Sequence, residues 1–334
     1  MSQVTTGQIA SGRKDSPFSS PGVQFAWDST SLGLYKECPR KYYYAMICGW
    51  RRPGPSVHLD FGGLYHSALG WYDHKKAEGF DHETALHSTV TWLMLETWTH
   101  ERDENGLRIP GTGRPLDWGD ETTKNRYTLV RSVIWYLEHF SMDPAKTLIL
   151  ENGKPAVELS FRFDAGEGRL LCGHLDRVVE YNGAKFVMDR KTSGSTISSY
   201  YFDKYAPDNQ MSLYTLAGQM ILQSPVAGVV IDAVQIAVNF SRFERGMTYR
   251  SAEQLEEWLH DFHVWADRAN MDGEGAFQHE APEEQERYFI QNDKSCHVYG
   301  GCQFRDICSS SPRVRQTFLE SNYERREWNP LIPR

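Results

Sequence analysis

The periodicity of the chain changes once, near residue 155, and that change most constrains the fold. From there AVELSFRF alternates as a strand, Ala165–Gly168 turns, LLCGHLDRVVEY reads as a second strand and AKFVMDRKT as a third. Asn182-Gly183, between the last two, is a strong hairpin signal. Helical spacing returns over 203–222 with Met211, Leu213, Tyr214, Leu216 and Met220. VAGVVIDAVQIAVNF is then an apolar run of strand character, and 251–270 an amphipathic helix with a serine cap. Before residue 155 the pattern is helical. Asp28, Ser29, Thr30 and Ser31 offer caps for a helix through Leu32, Leu34 and Tyr35 towards Cys38, and Pro39 opens the stretch RKYYYAMI. Arg51–Pro55 is a break, after which helices are expected from about Gly63, over 82–103 and over 123–142. Helices, then β-β-β-α-β, then a helix predict one α/β domain over 26–310 with a mixed sheet. Within it 26–150 is mainly helical, a layer inserted before the 155–240 core, and 251–310 is a helix and a cysteine-bearing tail. Residues 1–25 read as a flexible leader and 311–334 as a charged C-terminal tail.

Composition narrows the function classes. The 334 residues carry 36 Lys+Arg against 44 Asp+Glu, a formal charge of −8, which argues against coating nucleic acid through bulk charge but leaves room for a local basic groove. No apolar run approaches the roughly 20 residues that span a bilayer. The polar N-terminus lacks the apolar middle of a secretory signal, so no membrane partner and a cytoplasmic address are expected.

On the third strand, Asp189 and Lys191 lie two apart and share a face, with Arg190 on the other. Asp176, on the preceding strand, would come alongside Asp189 if the register is offset by a bulge or a strand end. Two carboxylates so close repel unless a cation lies between them, and hard oxygen ligands suit magnesium or manganese. Gln210 and Tyr214 are four apart on the following helix and share its face. His66 sits in GGLYHSALG, where the glycines would permit close approach at a helix start. Each of these alone is more often a solvated or packing residue; the set changes the odds. Glu158, on the first strand, is a weaker candidate and is expected to face solvent.

Two further groups stand out. Cys296, Cys302 and Cys308 are separated by two equal gaps of five residues, and Cys38 lies far upstream. Thiolate tetrads hold iron–sulfur clusters or structural zinc, and the spacing is a poor match to zinc knuckles. Cys48 and Cys172 read as small buried hydrophobes. Arg40, Lys41, Arg51 and Arg52, interleaved with Tyr42, Tyr43, Tyr44 and Trp50, suit a single DNA strand, with cations on phosphates and rings on bases. A solvated helix face with tyrosines packed beneath it explains the segment equally well.

Taken in order, GGLYH, GHLDR, MDRKT and QMSLY resemble the RecB-type branch of the PD-(D/E)XK nuclease family, with Asp189 in place of the commoner Glu. The resemblance implies a restriction-endonuclease-like α-β-β-β-α-β core and metal-dependent hydrolysis of DNA. It assigns Asp176 and Asp189 to a magnesium or manganese ion, His66 as a further ligand and Lys191 to the attacking water and the phosphate. Gln210 and Tyr214 would support the site. Cys38-Pro39-Arg40 and the C-terminal cysteine trio resemble the clasp of iron–sulfur nucleases of this type, among them the AddB nuclease domain and the CRISPR-adaptation exonucleases. That implies a structural [4Fe-4S] cluster on Cys38, Cys296, Cys302 and Cys308. The expected activity is that of an exonuclease or a single-strand or flap nuclease in recombination, repair or spacer processing. A non-catalytic DNA-binding scaffold on the same fold is the alternative, and retention of Asp176, Asp189 and Lys191 argues against it. With no G-x-x-x-x-G-K-[ST] motor motif, strand separation would fall to a helicase or recombination partner.

Overall fold

The computed structural model describes residues 16–54, 56–109 and 111–333. They group into two compact units where the sequence suggests one domain. The first, the core unit, takes residues from 55–159 and 175–250; the second, the cysteine unit, takes them from 1–54, 160–174 and 251–334.

The main elements, in chain order, are helices α1 (Val57–Ala77), α2 (His82–Glu96) and α3 (Arg126–His139), then strands β1 (Lys146–Thr147), β2 (Val157–Gly166), β3 (Arg169–Tyr181) and β4 (Ala184–Ser193). Helix α4 (Asn209–Leu222), strands β5 (Gly228–Ile236) and β6 (Ser241–Tyr249) and helix α5 (Ala252–Ala276) complete the set. Strands β2 and β3 each contribute residues to both units.

In the core unit the sheet is mixed, as the β-β-β-α-β order predicts. β4 pairs antiparallel with β3 through a turn in which Asn182 and Gly183 have φ of 51° and 76°, the twist a tight hairpin requires. The crossover through α4 then lays β5 parallel to β4, and β6 returns antiparallel to β5. All nine residues of β5 are buried, which explains its unbroken apolar run. Phe61, Tyr65 and Leu69 of α1 meet Leu129, Val133 and Leu137 of α3 and Val234 and Ile236 of β5 in one apolar cluster. Ala145, Val179, Phe186, Met188 and Val230 form another.

In the cysteine unit, Asp28 and Ser31 form the reciprocal cap of the helix Ser29–Glu37, as the sequence predicts, and Pro39 opens the next helical turn. Trp27, Tyr35, Tyr42, Tyr44, Phe262, Phe289 and Phe304 are fully buried. Gly273 of α5 lies so close to Gly22 that a side chain there would overlap the Gly22 carbonyl, 2.1 Å from a Cβ position.

Several expectations need correction. Phe18–Ser20 and Val23–Gln24 pair as a hairpin and Gln24 is buried, so the leader is structured at least from there; residues 1–15 lie outside those described. Helix α1 starts six residues before Gly63, because Ser56 accepts from the Leu59 amide and supplies the cap. Its glycines therefore lie inside the helix. The stretch 82–103 ends its helix at Glu96 and continues as a short strand, Trp98–Thr99, paired with Arg114–Pro115. Helix 203–222 is broken: Ser199–Asp203 and α4 are separated by Pro207, which cannot continue a helix from the first into the second. Strand β6 was not expected; its exposed, polar sequence hides the alternation of an edge strand. The charged tail carries a helix, Pro312–Asn322, whose Leu319 is buried.

Candidate active site

All six residues expected at the catalytic centre belong to the core unit and converge. The register of β3 on β4 runs without a bulge to Met188 opposite Arg177, so Asp189 and Asp176 face each other one step beyond the last paired residues. Neither a bulge nor a strand end is needed: the unshifted register sets the two carboxylates opposite each other, where the strands stop pairing although both continue. There the Arg190 amide, released from the ladder, donates to Asp176 Oδ2 at 2.8 Å. His66, on α1, places Nδ1 3.2 Å from the same oxygen. On the other side Lys191 Nζ lies 2.8 Å from Asp189 Oδ2 and donates to Gln210 Oε1 at 2.7 Å. Gln210 Nε2 in turn donates to the Tyr214 hydroxyl at 3.0 Å. Asp208 caps α4 by accepting from the Met211 amide, which fixes the turn that presents Gln210 and Tyr214.

Burial sets the electrostatics. Asp176 and Asp189 are 5% and 3% exposed, while the His66 and Lys191 side chains remain partly open. Burial alone would raise the Asp176 carboxyl, but His66, the Arg190 amide and the Arg190 guanidinium together hold it well below the usual carboxylate range. Asp189 is pushed up to about 6 by burial and by the charge of Asp176, against the pull of Lys191. Lys191 resists the effect of its own burial: Asp189, Asp176 and Asp208 raise it, so it keeps its proton at neutral pH. His66 is likewise raised, by Asp176 and Asp189.

These groups satisfy one another's charge, and among the described residues no set of three His, Cys, Asp or Glu side chains is arranged to hold a metal ion. The donor chemistry nevertheless fits a hard cation. Asp189 Oδ2 is buried and, apart from its ion pair with Lys191, accepts no hydrogen bond from the described residues, which leaves a carboxylate oxygen with unused lone pairs beside a second carboxylate.

Sequence reasoning missed the residues behind the site. Arg190 is 1% exposed and places Nη2 2.5 Å from Asp73 Oδ2; Asp73 stands seven residues after His66, on the same face of α1. That spacing was the available signal. Lys204 was also missed. It lies near enough to Lys191 to be lowered by it, burial acting first, and it caps the ring of Tyr201 at 3.9 Å. Glu158 does not face solvent as expected: it is half-buried, with its side chain against Gly70 of α1.

The cysteine unit gives mixed results. Burial raises the Cys296 thiol, and Cys302 and Cys38 raise it further. Cys308 is pushed up to about 11 by burial, with Cys302 and Cys38 adding to it against Arg40 and Arg315. The four thiols influence one another's charge, but among the described residues no three of them are gathered into a metal-holding set. Asn292 links two of them, donating its amide to Cys38 Sγ at 3.4 Å and accepting from Cys296 Sγ at 3.9 Å. Cys172 is buried and donates to the Trp27 carbonyl at 3.2 Å, and Cys48 is half-buried.

The basic–aromatic segment is corrected. Tyr42, Tyr43, Tyr44 and Trp50 are all buried and offer no face to a base. Arg40 is buried between Glu286 and the Phe289 carbonyl, with Nε to that oxygen at 2.8 Å. Lys41 pairs with Glu37, Arg51 with Glu324 and, on the exposed surface, Arg52 with Asp306 at 3.5 Å. The packed-tyrosine reading accounts for this segment.

The sequence matches the family described as "PD-(D/E)XK nuclease superfamily" over residues 27–309. No curated protein matches it significantly. Among solved structures, "Crystal structure of SSO0001" is similar at 11% identity, covering 72% of this chain and 75% of that one, with a TM-score of 0.27, too low to carry an argument.

Proposed function

The chain belongs to the PD-(D/E)XK nuclease superfamily, and from that premise we propose that it hydrolyses DNA phosphodiesters at the Asp176–Asp189–Lys191 site with magnesium or manganese. The carrying observation is the convergence of His66, Asp176, Asp189, Lys191, Gln210 and Tyr214 from two strands and two helices. Asp176 and Asp189, with His66, would hold the ion, which when bound polarises a phosphate and lowers the pKa of water. The chain's own groups supply the rest. Lys191, kept protonated by its carboxylate neighbours, is a poor base; its ammonium orients the attacking water and balances charge growing on the phosphate. Gln210 fixes Lys191, and Tyr214 fixes Gln210. Lys204, beside Lys191, offers a second cation to the phosphate backbone.

Within this reading the enzyme is an exonuclease or a single-strand or flap nuclease of RecB type, working in recombination, repair or spacer processing beside a helicase. Cys38, Cys296, Cys302 and Cys308 would hold a four-iron cluster, a reading supported by the Asn292 backbone, which touches both Cys38 Sγ and Cys296 Sγ. Labelled single- and double-stranded DNA incubated with manganese tests the catalytic assignment. Wild type cuts only with metal, and Asp189→Ala and Lys191→Ala, both folded by circular dichroism, lose at least about 100-fold in rate. Equal cutting by the variants would place the chemistry elsewhere.

A further inference from the structure

Arg190 stands in the strand between Asp189 and Lys191 and is 1% exposed. Its amide donates to Asp176 Oδ2 at 2.8 Å, so its guanidinium hangs from a backbone joined to one carboxylate and hydrogen-bonded to the other. The positive charge reaches the site. Burial acts first on the Asp176 carboxyl and raises it; His66, the Arg190 amide and the Arg190 charge pull it down. A fixed cation that stabilises a carboxylate also repels a divalent ion bound there, the more so where water is excluded. Among the described residues Arg190 has one ion-pair partner, Asp73, with Nη2 2.5 Å from Asp73 Oδ2. Asp73 is 5% exposed, and its other oxygen lies 3.7 Å from Arg177 Nε. Asp143, the carboxylate that shares Arg177, is already held by Arg245 at 2.7 Å.

We propose that Asp73 is a positioning residue for the metal centre: by pairing with Arg190 it cancels the positive charge that would otherwise keep a divalent ion from Asp176 and Asp189. The inference rests on the metal-dependent nuclease reading and adds to it a residue outside the set that would touch the ion. Helix α1 then contributes twice, a ligand in His66 and a counter-charge in Asp73 seven residues later. An ion pair that only braces the fold makes a different forecast, because losing either half would loosen the site and weaken binding. Acting through charge, the two halves move the affinity in opposite directions.

Manganese titration of the full chain, followed by electron paramagnetic resonance at fixed pH and ionic strength, reads this without DNA or cleavage. Circular dichroism checks that each variant is folded. Asp73→Asn, isosteric and neutral, is expected to bind manganese at least about tenfold more weakly. Arg190→Met keeps the backbone amide that Asp176 accepts from, and it is expected to bind manganese severalfold more tightly. Asp73→Asn/Arg190→Met, with both charges gone, is expected to return to within about threefold of wild type. Should Asp73→Asn not fold, the direction of the Arg190→Met change and the affinity of the double variant still decide. Equal binding by Asp73→Asn and wild type would overturn the proposal. So would binding by Arg190→Met no tighter than that of wild type, or a double variant as weak as Asp73→Asn. A wild type that binds no manganese would overturn the nuclease reading itself, and this inference with it.

Discussion

Lys191 is the residue at which geometry and charge agree best. Asp189 and Gln210 hold its ammonium from two sides, and the surrounding carboxylates keep it protonated. Gln210 acts through Lys191, which makes the pair testable as a unit. Gln210→Ala should slow DNA cutting about tenfold, and adding it to Lys191→Ala should cost nothing further. Rates from single-turnover cleavage by the two single variants and the double decide the point; additive losses would show that Gln210 has a role of its own. At this scale the sequence was informative. The DxK spacing and the i, i+4 spacing of Gln210 and Tyr214 each fix a shared face, and the side chains meet as expected. Arg190 was opaque because strand alternation sends it away from the pair, and only the fold supplies Asp73 as its partner.

Between elements, the tie that most needs its charges is Asp143. It follows α3 and receives Arg245 from β6 at 2.7 Å and Arg177 from β3 at 3.4 Å. Burial would raise its carboxyl, but Arg245, the Ala145 amide and Arg177 hold it below the ordinary range. A carboxyl lowered by folding contributes stability above its unfolded pKa, near about 4, and that stability is lost as the pH falls through the lower folded value. Asp143→Asn should therefore be about 3 kcal/mol less stable at neutral pH. It should also lose less stability on acidification, so that its curve approaches that of the wild type. Urea unfolding between roughly pH 2 and pH 7 measures both; parallel curves would show that Asp143 is not the titrating tie. The elements that meet here were legible to different degrees. β3, β4 and β5 were clear from alternation, a turn dipeptide and an apolar run. β6 was not, because an edge strand with charged outward residues lacks an apolar signature, and the start of α1 depended on a single serine cap.

For the whole molecule, the proposal that reaches furthest along the chain is the cluster on Cys38 and the C-terminal cysteines, which among the described residues are not gathered into a metal-holding set. Cys38 closes the first helix, and its charge is felt at Cys296 and Cys308. Anaerobically purified wild type should carry about four irons per chain and show cluster absorbance. Cys302→Ser should lose both and melt at lower temperature; a colourless, iron-free, well-folded wild type would contradict the cluster. The basic–aromatic segment shows a limit of sequence: its residue types suit either a strand of DNA or a packed core, and burial decided for the core. Direct manganese titration followed by electron paramagnetic resonance goes to the central claim, that Asp176 and Asp189 serve one divalent ion. Wild type is predicted to bind manganese at this site, and Asp176→Asn/Asp189→Asn, folded, to lose that binding; undiminished binding by the double variant would contradict the account.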